Sequence, residues 1–342
     1  GVVLLFVGLL GSPAMLRLLN TKDDLIAGAE LYFRIYALGM PALALFNFGN
    51  AVLSANGDTT RPLLYLIIAG VLNVILNVFF VIVCGMAEDG VALASIISQY
   101  VSAFLVLLHM IHQKDDCSLH LSKVRLYKGR SKPLLALGIP AGFQNAIFAI
   151  ANLFVQTGVN SFDHVMVEGN SAAANADPLV YDMMAAFYTA CSSFIAQNYG
   201  AKKSDRILKS YLICLLYSFV VGLVLGVGLY LLRYPFLSLF TSDTTVVDAG
   251  IRRLSIMALS YSVSAFMDCT IAASRGLGKS IVPTIVVIMG SCVFRIVWIY
   301  TIFAHFRTIQ SLYLLYVFSW TITAIAEIIY FVIVYRKVKP QA

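Results

Sequence analysis

Ten apolar runs, each close to 20 residues, dominate this chain, at approximately 1–19, 31–53, 63–85, 91–113, 133–156, 179–199, 207–232, 250–273, 281–304 and 311–335. A run of that length crosses a hydrocarbon core of roughly 30 Å as a helix, the form that satisfies every backbone N–H and C=O without water. The overall composition agrees. Hydrophobic residues make up 60% and charged residues 12%, against about a quarter charged in a soluble domain, and the mean hydropathy is +0.86. An all-α, multi-pass membrane protein is therefore expected. None of the runs has the short apolar core and small-residue cleavage site of a signal peptide, and the chain does not begin with Met.

The net charge of +7 is a topology signal. Sixteen Lys and Arg fall in one set of alternate loops: Arg61, six from Lys114 to Lys132, four from Lys202 to Lys209, Arg275, Lys279, and Arg336, Lys337 and Lys339. The opposite loops hold only Lys22, Arg233 and Arg307. The positive-inside rule places the long 114–132 segment and both ends of the chain in the cytoplasm, with a cell membrane location. A bilayer partner follows and a nucleic-acid partner does not. The six cysteines, Cys84, Cys117, Cys191, Cys214, Cys269 and Cys292, form no CxxC pair and suggest neither disulfides nor zinc.

A constant offset of 221 superimposes the chain on itself. It places Ala37-Leu38 on Ala258-Leu259, the Gly57 and Pro62 of ANGDTTRP on the Gly278 and Pro283 of GLGKSIVP, and the runs at 91 and 311 within a residue or two. Internal duplication of this kind marks many secondary transporters. Six runs, an even number, separate the copies, so both start on the same side and the repeats are parallel. Two runs of the second copy, 133–156 and 179–199, have no mate, so an intact protein of twelve helices is expected, with about two spans preceding residue 1. The expected domains are an N-terminal lobe (1–113, the last four of six helices), a cytoplasmic linker (114–132) and a C-terminal lobe of six helices (133–342). GLGKS is not a P-loop, since Ala273 stands where that motif needs its first Gly.

Polar groups inside the spans are the candidates for function, because an ionisable side chain there costs at least about 2.5–3.5 kcal/mol. Asp268, Arg295 and Glu327 are such residues. Asp268 and Arg295 lie on neighbouring helices, so a structural ion pair and a cation or proton site at Asp268 both remain open. Glu327 is about two turns from a helix end, within possible reach of water or Arg336. An amide series, Gln144, Asn145, Asn152 and Gln156, follows one run, with 145, 152 and 156 on one helical face. It reads equally as pathway lining or as interhelical glue. Tyr181 and Asp182, at the outer start of the next run, are candidates for the mouth of a cleft. His109 and His112 with Asp115 and Asp116 are metal-ligand types, but their place at a helix end reads as a solvated cluster, and no metal site is expected. HExxH, GxSxG and paired in-membrane acids are all missing, so no enzyme activity is expected.

The run LSANGDTTRPLLYLIIAGVLNVILNVFFVIVCGMAEDGVALASIISQ, with LALGIPAGFQN, FIAQNYGAKK, and ASRGLGKSIVP followed by Arg295, resembles the signature of the multidrug and toxic compound extrusion (MATE) transporters across essentially the whole chain. The resemblance implies a two-lobed antiporter of twelve helices, a monomer without permanent cofactor. Such a protein expels organic cations, drugs or metabolites in exchange for Na⁺ or H⁺, through a cleft between lobes. Flippases of lipid-linked saccharides share the architecture and are the alternative. NorM-like members carry an acid where this chain has Ser264, one helical turn before Asp268; DinF-like members carry Asp where it has Asn77. Asn73 and Asn77 share a face and offer carbonyl oxygens, suited to Na⁺ or to hydrogen-bonding a ligand, though neither takes up a proton near neutral pH.

The charge count yields a direct test. A cysteine placed at Ser122, with Cys117 removed, is expected to resist membrane-impermeant thiol reagents added outside intact cells. Ready labelling would reverse the topology.

Overall fold

The computed structural model describes residues 1–18, 23–114, 118–125 and 127–338; for residues 15, 17, 18, 23–25 and 130 only the backbone is considered. The Asp115 and Asp116 carboxylates, Cys117, Lys22 and Lys339 lie outside the described residues. The chain divides into two compact units, Gly1–Arg125 and Leu126–Ala342.

The first unit contains α1 (Val2–Leu18), α2 (Asp23–Leu38), α3 (Met40–Ala55), α4 (Thr60–Val78, continued by a π-helical turn over Phe79–Val83) and α5 (Glu88–His112). The second contains α6 (Lys128–Val159), α7 (His164–Ala174), α8 (Ala176–Gly200), α9 (Ser204–Leu231), α10 (Arg233–Ser238), α11 (Thr244–Gly276), α12 (Ile281–Val287), α13 (Phe294–Trp298), α14 (Ala304–Phe306) and α15 (Ile309–Val338). Two π-helical segments, Ile288–Val293 and Ile299–Phe303, join α12, α13 and α14 into one rod. Among the described residues eight helical rods are long and apolar enough to cross a membrane. Ile26–Leu38 with Met40–Ala55, bent by 43°, makes a ninth if the pair is one span, and Val2–Ala14 is a shorter apolar helix. Each of the ten apolar runs coincides with one of these. The protein is an all-α, multi-pass membrane protein.

The 221-residue offset is legible in backbone geometry within each unit. Gly57 and Gly278 both have positive φ, +89° and +74°. In one turn the Gly57 N–H donates to Ser54 O at 3.0 Å and the Asp58 N–H to Leu53 O at 3.0 Å. In the other the Gly278 N–H donates to Arg275 O at 2.8 Å and the Lys279 N–H to Ser274 O at 3.0 Å. Every partner is displaced by 221. Both turns end a helix in the left-handed conformation that Gly adopts without steric penalty, and a buried proline, Pro62 or Pro283, sits in the first turn of the next helix.

The copies diverge where their sequences do. The bent pair α2–α3 occupies the register of the single helix α11. Its break falls at Gly39 and Pro41, where Pro removes a helical N–H donor. The equivalent positions in α11 are Ser260 and Ser262, and that helix is continuous.

Helix α11 is the interior of the second unit, with 72% of its most apolar stretch buried, whereas α4 in the first unit has 6% buried. Small residues let the neighbours of α11 approach. A Cβ on Gly226 of α9 would stand 2.0 Å from the Ala258 carbonyl oxygen, and one on Gly169 of α7 2.7 Å from Ala249. Close backbone approach of this kind drives helix association where lipid removes the hydrophobic contrast. Asp243 caps α11, accepting from the Thr245 N–H at 2.8 Å, and these hydrogen bonds hold its carboxyl below the usual range.

Two boundaries differ from the hydropathy. Helix α6 begins at Lys128, inside the segment 114–132 expected as linker, and runs through Pro133 and Pro140. The apolar run starting at 179 is only the second part of a rod that extends over His164–Gly200, with a break at Asn175. Tyr181 therefore lies well within the rod, not at its outer start. Polar Asn170, Asn175 and Asp177 lower the hydropathy there, yet Asn170 is buried because other side chains bind it.

The turn yields a prediction. Nothing lies within 4 Å of a Cβ at Gly278, so substitution there costs only backbone strain, roughly 1–2 kcal/mol for an ordinary side chain. Gly278→Val is expected to lower the melting temperature in detergent more than Gly278→Asn, since Asn tolerates positive φ. Equal losses would remove the conformational explanation.

Candidate functional site

Within the second unit α6, α8, α11, the α12–α13 rod and α15 enclose a cavity of about 220 Å³. Three of the four amides on α6 face it: Gln144, Asn145 and Asn152. Asp268 of α11, Arg295 of α13, and Asp177, Tyr181 and Trp320 complete its polar and aromatic lining. Gln156 opens instead on an adjoining cavity of about 380 Å³, which also touches Asn152, Asp177 and Tyr316. Gln156 donates to Asn160 Oδ1 at 2.9 Å.

The charges are distributed unevenly between partners. Asp177 and Arg253 are joined: Arg253 Nη2 donates to Asp177 Oδ2 at 2.5 Å and Nη1 to Asn170 Oδ1 at 3.0 Å. The Tyr261 hydroxyl donates to the other Asp177 oxygen, and Tyr313 donates to Asn170 Oδ1 at 3.0 Å. This is a closed network at the partition between the two cavities.

Asp268 and Arg295, in contrast, are not paired with each other. Among the described residues no carboxylate lies within 4.0 Å of the Arg295 guanidinium. The ion pair left open by the sequence is therefore not made. Arg295 is 0% exposed and is held by neutral groups. Its Nη1 donates to Asn152 Oδ1 at 2.8 Å and Nε to Ser319 Oγ at 3.3 Å. Its guanidinium carbon lies 4.6 Å from the ring centroids of both Phe148 and Tyr316, and Nη2 has no partner. These neutral groups satisfy the arginine's geometry without neutralising its charge. Tyr181 stands in the fields of Asp268, Asp177 and Arg295 together. It packs edge-on against Tyr261 and Trp320, with centroids 5.7 and 6.2 Å away.

Arg275 at the end of α11 donates from Nη2 to Gln144 Oε1 at 2.9 Å, and its field reaches Asp268 and Glu327. Glu327 is 0% exposed, with both carboxylate oxygens lacking hydrogen-bond partners. It lines neither cavity, and among the described residues it makes no pair with Arg336. Ser264, one turn before Asp268, donates to the Tyr261 carbonyl at 2.8 Å and is fully buried away from the cavity. Asp182 is exposed and outside the lining.

The remaining candidates belong to the first unit. Asn77 Nδ2 donates to Asn73 Oδ1 at 3.0 Å, so the two amides meet across one turn of α4, while Asn77 Oδ1 is buried without a partner. His109 bonds Arg61 Nη1 through Nε2 at 3.0 Å, and Arg61 in turn bonds Asp58 at 3.2 Å. Among the described residues no group of three or more metal-ligating side chains occurs.

The MatE family profile matches residues 1–79 and 140–301, more than half of the chain. The chain belongs to the MATE family. Two relatives from Bacillus subtilis (strain 168) are similar to it. The probable multidrug resistance protein YpnP is 33% identical over 197 residues, 57% of this chain and 44% of the relative. The probable multidrug resistance protein YoeA is 26% identical over 294 residues, 84% of this chain and 63% of the relative. The chain thus spans less than two thirds of the length of either. A MOP superfamily transporter from Pyrococcus furiosus, whose reversed binding-pocket polarity suggests a different function for it, superimposes with a TM-score of 0.92 at 20% identity. The match covers 99% of this chain and 76% of that one. This likeness shows the MATE fold.

Asp268, Arg295 and three of the four α6 amides singled out in the sequence, Gln144, Asn145 and Asn152, line this cavity, whereas the sequence does not single out Asp177 and Arg253. Asp177 precedes the apolar run, and Arg253 falls three residues into one, beside Arg252; each looks like an interfacial charge. The available signal was the pair itself: one acid and one base at matching depth on two spans.

The two aspartates are expected to behave differently on neutralisation. Asp177→Asn leaves Arg253 buried without its counter-charge and is expected to cost on the order of 3 kcal/mol, as removal of one partner of a buried pair does. Asp268→Asn breaks no ion pair and removes an uncompensated charge, so it is expected to leave the protein at least as stable as wild type toward unfolding in detergent. Equal destabilisation would mean that Asp268 has a partner of comparable strength.

Proposed function

We propose that this chain acts in secondary active antiport, exporting organic cations, drugs or metabolites in exchange for Na⁺ or H⁺ by alternating access. The single observation that carries this reading is Asp268, a carboxylate open to a membrane-embedded cavity with no ion pair or hydrogen bond among the described residues. A carboxylate there is retained at considerable free-energy cost, which is rational if an ion or a substrate cation binds it during part of the cycle. MATE membership and the multidrug-resistance names of the relatives support the transport class.

Antiport requires that ion and substrate favour competing states of the same protein. Asp268 serves this by holding either the coupling ion or a substrate cation. Asn145 and the Tyr181 hydroxyl offer neutral oxygen ligands in the same cavity, and Tyr181, Trp320 and Phe148 offer aromatic faces that attract cations. Gln144, in the same lining, accepts from Arg275 Nη2, so that guanidinium is hydrogen-bonded to a neutral amide. The protein acts as a monomer in the cell membrane, with the 114–132 segment and both ends of the present chain cytoplasmic and no permanently bound cofactor.

The test is reconstitution. Asp268→Asn protein in liposomes is expected to bind an organic cation such as ethidium more weakly and to lose efflux driven by either a Na⁺ or an H⁺ gradient, while remaining folded. Wild-type rates under both gradients would place the coupling site away from Asp268.

A further inference from the structure

Arg295 is the one charge in the cavity for which this reading has no use. It is 0% exposed and lines the cavity, and among the described residues its hydrogen bonds and ring contacts are to Asn152, Ser319, Phe148 and Tyr316, all uncharged. Guanidinium does not lose its proton in a protein. A buried ion costs several kcal/mol unless an opposite charge compensates it. Among the described residues the nearby anions do not compensate it: Asp177 binds Arg253 and Tyr261, and neither Asp268 nor Glu327 lies within 4.0 Å of the guanidinium. Two hydrogen bonds fix the orientation of the guanidinium and two rings pack on it, so its Nη2 edge, unpartnered, is preset for an incoming acceptor. Fork-shaped, edge-on hydrogen bonding is how Arg recognises planar oxyanions.

We infer that the substrate of this cavity carries an oxyanion, a carboxylate or phosphate ester, that docks on Arg295 beside an aromatic or other apolar body lying against Tyr181 and Trp320. A substrate cation at Asp268 completes a zwitterion, and a bare anion is accommodated when Asp268 holds the coupling ion. The inference rests on the cavity being the transport site and names the chemistry that site accepts. It adds an oxyanion-binding group, Arg295, to the cation-binding carboxylate of that reading.

The experiment compares three probes of one shape, 2-naphthoate, its methyl ester and 2-naphthylmethylamine, by quenching of tryptophan fluorescence in the purified protein. The carboxylate is expected to bind about ten- to a hundredfold more tightly than the ester, the range for a hydrogen bond to a charged group. Arg295→Gln should abolish that preference. Arg295→Lys, which keeps the charge without the fork, should retain part of it and guards against a folding defect. Displacement of naphthoate by short-chain phosphatidylglycerol or phosphatidylcholine, both of which carry a phosphodiester oxyanion, would assign the oxyanion to a lipid headgroup; no displacement by either would assign it to a free solute. Both outcomes keep the inference. Equal binding of acid and ester with tight binding of the amine would overturn it and leave the cation-antiport reading intact. Failure of all three probes would overturn both.

Discussion

Charge inside a membrane protein must be compensated, and the compensation between Asp177 and Arg253 leaves the rest of the site free. That pair brings α8 and α11 together, and Asn170 ties α7 and, through Tyr313, α15 to the same point. With one acid and one base neutralising each other at the partition, Asp268 and Arg295 remain in the adjoining cavity with neither ion-paired among the described residues. The fold therefore separates a charge pair that ties helices together from two charges that share a cavity. Removing one partner of the first kind is expected to damage the fold, whereas neutralising Asp268 is expected to alter only what the cavity can hold.

The internal repeat supplies the frame on which that separation is built. Both copies keep the same helix-ending turn, down to the identity of each hydrogen-bonded position, because a helical hairpin needs Gly where φ is positive and tolerates Pro at the start of the next helix. In the register of one long helix the first copy has Gly39 and Pro41 and bends; the second has Ser260 and Ser262 and runs straight. Straightness matters for the site, since Arg253 and Asp268 sit on the two halves of α11 and keep their separation only if the helix between them is rigid.

Much of this was legible beforehand. Hydropathy found all ten apolar segments because lipid selects for long uninterrupted runs, and the 221-residue offset survived because Gly57, Pro62, Gly278 and Pro283 answer backbone demands that few other residues meet. Asp268, Arg295 and the α6 amides stood out as polar residues within apolar context. Asp177, Asn170 and Arg253 did not, since polar residues that satisfy one another across helices lower the hydropathy of their own segments and imitate a loop. Pairing was illegible for a related reason: adjacency in sequence order brought the helices of Asp268 and Arg295 together, but rotation about each helix axis aimed Arg295 at Asn152 and Ser319. Neighbouring helices do not determine which side chains face each other.

The central claim, that Asp268 and Arg295 share one cavity without compensating each other, is most directly tested by a double-mutant cycle on unfolding of the ligand-free protein. The cycle comprises Asp268→Asn, Arg295→Gln and the double variant. Independent charges predict additive effects to within about 0.5 kcal/mol. A coupling energy above about 1 kcal/mol, with the double variant more stable than the sum of the singles, would show that the two residues are ion-paired in the resting protein and would contradict the account.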